Sequence, residues 1–136
     1  MKIVGDPKKE KIVTILVSVF FIGVITITTL LGNFNDKKLI ERGVIINATI
    51  YDVTSTVRGD FAVKYRFFIA GKPYESEHSY GEIISRYQSN FINKSFPMIY
   101  LSEDPSINYL LVTPNSFKKY NKDFPDSLGW VKNYMN

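Results

Sequence analysis

The sequence predicts an α+β chain, mainly antiparallel β: one N-terminal transmembrane helix, then a small β-sandwich or barrel-like domain with one or two short helices. Three observations carry this. The segment Ile12–Gly32 is 21 residues long and contains no charged side chain. Beyond residue 42 the apolar residues change from a continuous run to an alternating pattern rich in β-branched and aromatic types. Between the alternating stretches lie short turn signals such as "VRGD", "AGKP" and "SEDPS".

The chain has 136 residues and no cysteine, which excludes disulfides, thiol catalysis and cysteine-based zinc sites. It is rich in Ile, Lys, Asn, Phe and Tyr and poor in Ala. Those favoured types have AT-rich codons, which points to a low-GC bacterial source. The formal net charge of +4 is concentrated around the apolar run: +3 falls on residues 1–42 and +1 on the rest. A nucleic-acid-binding domain concentrates basic charge on its folded part, so a nucleic-acid partner is not expected.

Residues 1–11 read as a basic N-terminal segment and 12–32 as the span. At about 1.5 Å per residue the span reaches roughly 30 Å, the thickness of a bilayer's hydrocarbon core. A signal peptide has a shorter apolar region followed by small residues. Here the first alanine is Ala48, and "TTLLGNFN" offers no small-x-small pair. A buried soluble helix would need more surrounding protein than this chain supplies. The segment therefore reads as a retained anchor in the cytoplasmic membrane. Lys2, Lys8, Lys9 and Lys11 with the amino terminus outnumber Lys37, Lys38 and Arg42, which places the N-terminus in the cytoplasm and the β domain outside it. On a helical wheel Thr14, Ser18, Thr28, Thr29 and Gly32 share one side of the span, a candidate helix–helix contact with another membrane protein or a second copy. The alternative is that these hydroxyls simply bond to carbonyls of their own helix.

Residues 33–42 form a polar stem that could extend the helix. In residues 43–57 Val44, Ile46, Ala48 and Ile50 alternate with Ile45, Asn47, Thr49 and Tyr51. In residues 61–70 Phe61, Val63, Tyr65, Phe67 and Ile69 share a face, with Lys64 and Arg66 opposite. "YESEHSY" reads as a polar strand at an edge or with one wet face. In "GEIISRYQSNFIN" the spacing of Ile83, Ile84, Tyr87 and Phe91 predicts a helix. "SFPMIYLSEDPSINYLLVTP" predicts two strands about a turn, with Pro97 at a strand start or an edge. Pro125, Asp126 and Ser127 mark a helix start. Residues 43–114 thus form the β domain. The tail 115–136 holds Phe117, Tyr120, Phe124, Leu128, Trp130 and Val131, too many large apolar groups for a free end, and is expected to dock on the domain.

The order "ERGVIINATI", "VKYRFFIAGKPYES", a helical spacer and "FPMIYLSEDPSINYLL" resembles the DUF3592 type of domain over roughly residues 42–112. The family pattern falls on Gly43 and Ala48; on Tyr65, Phe67, Gly71 and Tyr74; and on Ile99 or Met98 with Tyr100, Asp104 and Pro105. The family's glycine before the last strand pair is replaced around Asn93–Lys94, and no second membrane helix follows. The resemblance implies a membrane helix joined to a small β domain, and it implies no activity.

Sharper readings are weighed against plainer ones. Arg58-Gly59-Asp60 spells an integrin-binding tripeptide and is also an ordinary hairpin tip. His78 has Glu75, Glu77 and Glu82 nearby, but on a strand 75 and 77 face away from 78. No metal ligand set, catalytic group or cofactor site is expected from them. Asn47 and Asn93 head glycosylation-type triplets and read as strand and turn residues. The aromatic residues read as core rather than a ligand platform. The function expected is a non-enzymatic binding or accessory protein, a small subunit of a membrane complex. An immunity-like or defence-associated inhibitor is the second reading and an enzyme of unrecognised type the third.

Overall fold

The computed structural model describes residues 7–136. Its elements are α1 (Pro7–Arg42), β1 (Val44–Ser55), β2 (Phe61–Ile69), β3 (Lys72–Tyr80), β4 (Ser95–Leu101), β5 (Asp104–Leu110) and α2 (Pro114–Lys119), with 3-10 segments at Ser85–Phe91 and Asp126–Tyr134. The chain divides into two units between Asp36 and Lys37. The described part of the first unit is α1 up to Asp36; α1 is 36 residues long in all. The second begins with the last turn of α1 and holds the sheet.

All strand pairs are antiparallel, in the order β3-β2-β1-β4-β5. The sheet curls until its two edges approach, so that the Tyr80 hydroxyl donates to the Leu110 carbonyl across the gap. The result is an α+β fold with a nearly barrel-shaped antiparallel sheet. Alternation is what fills it. Phe61, Val63, Tyr65 and Phe67 of β2 are at most 1% exposed, and Lys64 and Arg66 project from the other face, where they pair with Asp52 and Glu75.

β1 departs from strict alternation. Ile50 opposes Tyr65, but Asp52 opposes Lys64, so one extra residue stands in β1. The bulge reverses the phase: Ala48 and Ile50 face the core before it, and Val53 packs against the core after it. β4 is buried on both faces. Phe96 and Met98 point one way, Ile99 and Leu101 the other, and all four are fully buried. That is why "FPMIYL" reads as one apolar run.

Pro97 lies in this central strand rather than at an edge, opposite Asn47. A strand residue points its N and its C=O to the same side. The Pro97 carbonyl accepts from Leu111 N at 2.8 Å on the β5 side, so the missing N–H falls just beyond the β5 ladder and leaves β1 untouched.

Two further elements differ from expectation. Only Ser85–Phe91 is helical in the 81–93 stretch, and it is 3-10. Ile83 instead forms an isolated bridge with Met135. The helix α2 replaces a strand continuation. Thr113 caps it, accepting from Ser116 N, while the Ser116 hydroxyl accepts from Thr113 N, with Pro114 in the first turn. The C-terminal segment then runs beside residues 82–84, where Ile84 N donates to Tyr134 O and Asn136 N to Glu82 O. Trp130 and Tyr134 close one end of the barrel against Phe91, at ring distances of 5.3 and 5.9 Å.

The β2–β3 hairpin turns on Ala70 and Gly71 with φ of 50° and 79°. Two successive left-handed residues mark a type I′ turn, for which Asn-Gly is preferred. Alanine is strained there, since its Cβ crowds the carbonyl. Ala70→Asn is therefore expected to stabilise the domain by about 1 kcal/mol, read as a higher urea midpoint in detergent with an unchanged slope.

Candidate functional site

Among the described residues one helix is long and apolar enough to span a membrane, and it lies near the N-terminus. Its large apolar residues from Ile12 to Phe34 are between 42% and 68% exposed, a surface that water would not tolerate at this length. Every hydroxyl of the candidate contact stripe bonds within the helix. Thr14 donates to Glu10 O, Ser18 to Thr14 O, and Thr28 and Thr29 both to Ile25 O, each at 2.9 Å. Gly32 has no atom near the position of a Cβ. The stripe is thus smooth, and its polar groups are already paired with backbone.

The acidic residues close to His78 in sequence are dispersed in space. Glu75 takes both the Nε and Nη2 donors of Arg66, at 3.0 and 2.5 Å, and accepts from the Tyr51 hydroxyl at 3.3 Å. The Arg66 guanidinium holds the Glu75 carboxyl below the ordinary carboxylate range. Glu77 lies opposite Lys64, and Glu82 accepts from Asn115. His78 is half-buried, its ring 4.0 Å from that of Tyr109 and 5.0 Å from that of Tyr80. Among the described residues no group of three or more His, Asp or Glu is placed to hold a metal.

The Arg58-Gly59-Asp60 tip is a tight turn with Gly59 at φ 82°. Gly59 N donates to Thr56 O, and Thr56 N to Asp60 O.

Sequence reading missed the seam between β3 and β5. There Tyr65, one face of β2, reaches through the barrel to donate to Asn108 Oδ1 at 2.6 Å. Asn108 in turn donates to the carbonyls of Pro105 and Ser106, which occupies part of the β5 edge. Lys119 sits over the rings of Tyr109 and Tyr120. No local signal announces such a cluster, because its members come from strands that are not ladder partners.

Burial pushes the Tyr65 phenol up from 10.0 to about 12, against the hydrogen bonds that favour ionisation, and burial raises Tyr80 as well. The unfolded chain therefore loses these protons first as pH rises. For Tyr65 this contribution to stability is complete below about pH 10 and is lost as pH climbs through about 12, worth roughly 2–3 kcal/mol; that of Tyr80 has the same sign and is lost only at higher pH. The urea midpoint should fall steeply above about pH 10, and Tyr65→Phe should remove part of that slope while Tyr80 keeps the rest. A flat midpoint across that range would show that the phenols are not buried in solution.

Comparison with protein-family models, with curated proteins and with solved structures finds no match to this chain.

Proposed function

We propose that the chain is a single-pass, membrane-anchored, non-enzymatic binding or accessory protein, a small subunit of a bacterial membrane complex related in kind to the DUF3592 domains. The observation that carries this is the exposed apolar face of α1 around its whole circumference, followed directly by a small barrel. Polar groups inside that barrel are paired, Tyr65 with Asn108 and Tyr80 with Leu110 across the seam, and Thr113 with Ser116 in the cap of α2. The basic residues favour a cytoplasmic N-terminus with the barrel on the outer side of the cytoplasmic membrane.

In this reading the bilayer is the first partner, and a second membrane protein or another copy of the chain is the next. The stripe Thr14, Ser18, Thr28, Thr29 and Gly32 is where a second helix would approach. Hydroxyls that already bond to their own carbonyls still permit close backbone approach, since they add little bulk. Replacing Ser18 and Thr29 together by Phe should abolish crosslinking to that partner in intact membranes. Replacing Leu16 and Ile27 by Phe should leave it. Equal behaviour of the two double variants would reduce α1 to a plain anchor. Extraction of the full chain by alkaline carbonate would remove the membrane reading altogether.

A further inference from the structure

We infer that the edge at residues 81–84 is a strand-exchange site: segment 132–136 of one copy pairs with residues 81–84 of a second copy, which returns the same segment. This rests on the reading of the chain as a membrane protein whose next partner is another copy, and it names the surface through which the two copies meet. The form of the occupant is visible in the fold, because the chain's own segment already sits on that edge.

Ile84 N donates to Tyr134 O and Asn136 N to Glu82 O, both at 2.9 Å, with Ile83 and Met135 as the bridged pair between them. The Asn136 side-chain amide adds a bond to Gly81 O at 3.4 Å. The Tyr134 ring lies 5.3 Å from that of Tyr87 and 5.9 Å from that of Phe91. Firm burial stops just before this segment. Leu128 and Val131 are 8% and 0% exposed, whereas Lys132, Asn133 and Asn136 are exposed and Tyr134 and Met135 half-buried. The bond back to the 3-10 segment, Met135 N to Lys132 O, is long at 3.4 Å. A few hydrogen bonds of modest net strength thus offset the ordering of five residues, so their release is a low-energy local opening.

Release strips the Ile84 N–H and the Glu82 carbonyl of their partners and uncovers one side of the Phe91 ring, an edge that calls for another strand. The same segment from a second copy restores each of these contacts, so exchange sacrifices none of them. Five extended residues reach about 16 Å, which requires the two copies to touch at this end of the barrel. The β1–β2 hairpin tip stands at the same end: Phe61 pairs with Tyr80, and Asp60 Oδ1 lies 3.7 Å from where a Cβ on Gly81 would stand. Val57 on that tip is fully exposed, and Ile92, next to Phe91, is 36% exposed. An end-to-end contact buries both, a gain the single copy lacks. Chains anchored in one membrane meet at high effective concentration, which favours the exchanged pair.

The chain has no native cysteine, which makes the test direct. Full chains carrying Glu82→Cys and Asn136→Cys, with different tags, would be expressed together in one membrane and oxidised. Residues directly opposite in an antiparallel pair have Cα atoms about 5.5 Å apart, within disulfide reach. Expected is a disulfide-linked dimer carrying both tags, at least about tenfold more than for Lys72→Cys with Asn136→Cys, because position 72 at the far end of β3 lies beyond that reach. A yield no greater than that of Val57→Cys with Asn136→Cys would show proximity without exchange and overturn the inference. Absence of the mixed dimer would overturn it as well, and a chain carrying both Glu82→Cys and Asn136→Cys would then close the bond within itself. If alkaline carbonate still fails to extract these chains, the anchor stands and only the exchange is lost.

Discussion

Replacing Gly43 by alanine is expected to destabilise the β domain by about 3 kcal/mol, at the upper part of the range for overpacking. Gly43 joins the last turn of α1 to β1, and its N–H donates to the Leu39 carbonyl at 2.9 Å. A Cβ there would overlap that same carbonyl oxygen and the Ile99 side chain, whose Cδ1 would be 2.6 Å away. Ile99 is fully buried, and the carbonyl is backbone, so neither yields cheaply. Gly→Ala at a compatible site would instead gain about 0.4–1 kcal/mol through the unfolded chain, so the sign of the effect decides the matter. The full chain in detergent, with Trp130 as its single tryptophan reporter, should melt roughly 10–20 °C lower. Gly129→Ala, where no atom approaches the added carbon, should change little. Trimming Ile99 to valine in the Gly43→Ala background should not restore stability, since the carbonyl clash remains. Full rescue would show that Ile99 alone sets the limit.

Removing residues 116–136 is expected to have the largest effect of all. Phe117, Tyr120, Leu128 and Val131 are each at most 8% exposed. Burying one such side chain is worth about 1.5–3 kcal/mol, so the four together approach the whole stability of a typical domain, about 5–15 kcal/mol. The deletion also opens the barrel end closed by Trp130 and Tyr134 over Phe91 and leaves the edge at residues 82–84 without its partner. The truncated chain should lose its protease-resistant β domain in membranes while keeping the helix. A resistant fragment of unchanged size and melting temperature would show that residues 116–136 add nothing to the core.

Both effects sit at places the sequence describes unevenly. Gly43 is conspicuous only through a resemblance, whereas its need for no side chain comes from a carbonyl four residues back and an isoleucine 56 positions ahead. The tail's apolar content signals burial without saying against what. The acidic residues around His78 look clustered along the chain and are separated by the pleat, which sends 75 and 77 to the face opposite 78.

What the sequence determined by itself was whatever depends on neighbours within a few residues. The 21-residue uncharged run, the alternation in β2, the Gly59 and Gly71 turns and the antiparallel α+β class all follow from local period and backbone preference. Tertiary structure decided what depends on distant partners. The extra residue in β1 reverses its inward phase because β2 must stay in register beyond it. The 81–93 stretch tightens into a 3-10 segment because Ile83 is bridged to Met135 rather than to the next turn. After Val112 the chain turns at Thr113 into α2, through a Thr-Pro-x-Ser signal that directly follows the apolar end of β5. The seam of Tyr65, Asn108, Tyr80 and Leu110 exists only once β3 and β5 meet. Local signals act over one or two turns of chain, while closing a barrel is a contest among long-range contacts, and no window along the sequence contains both sides of it.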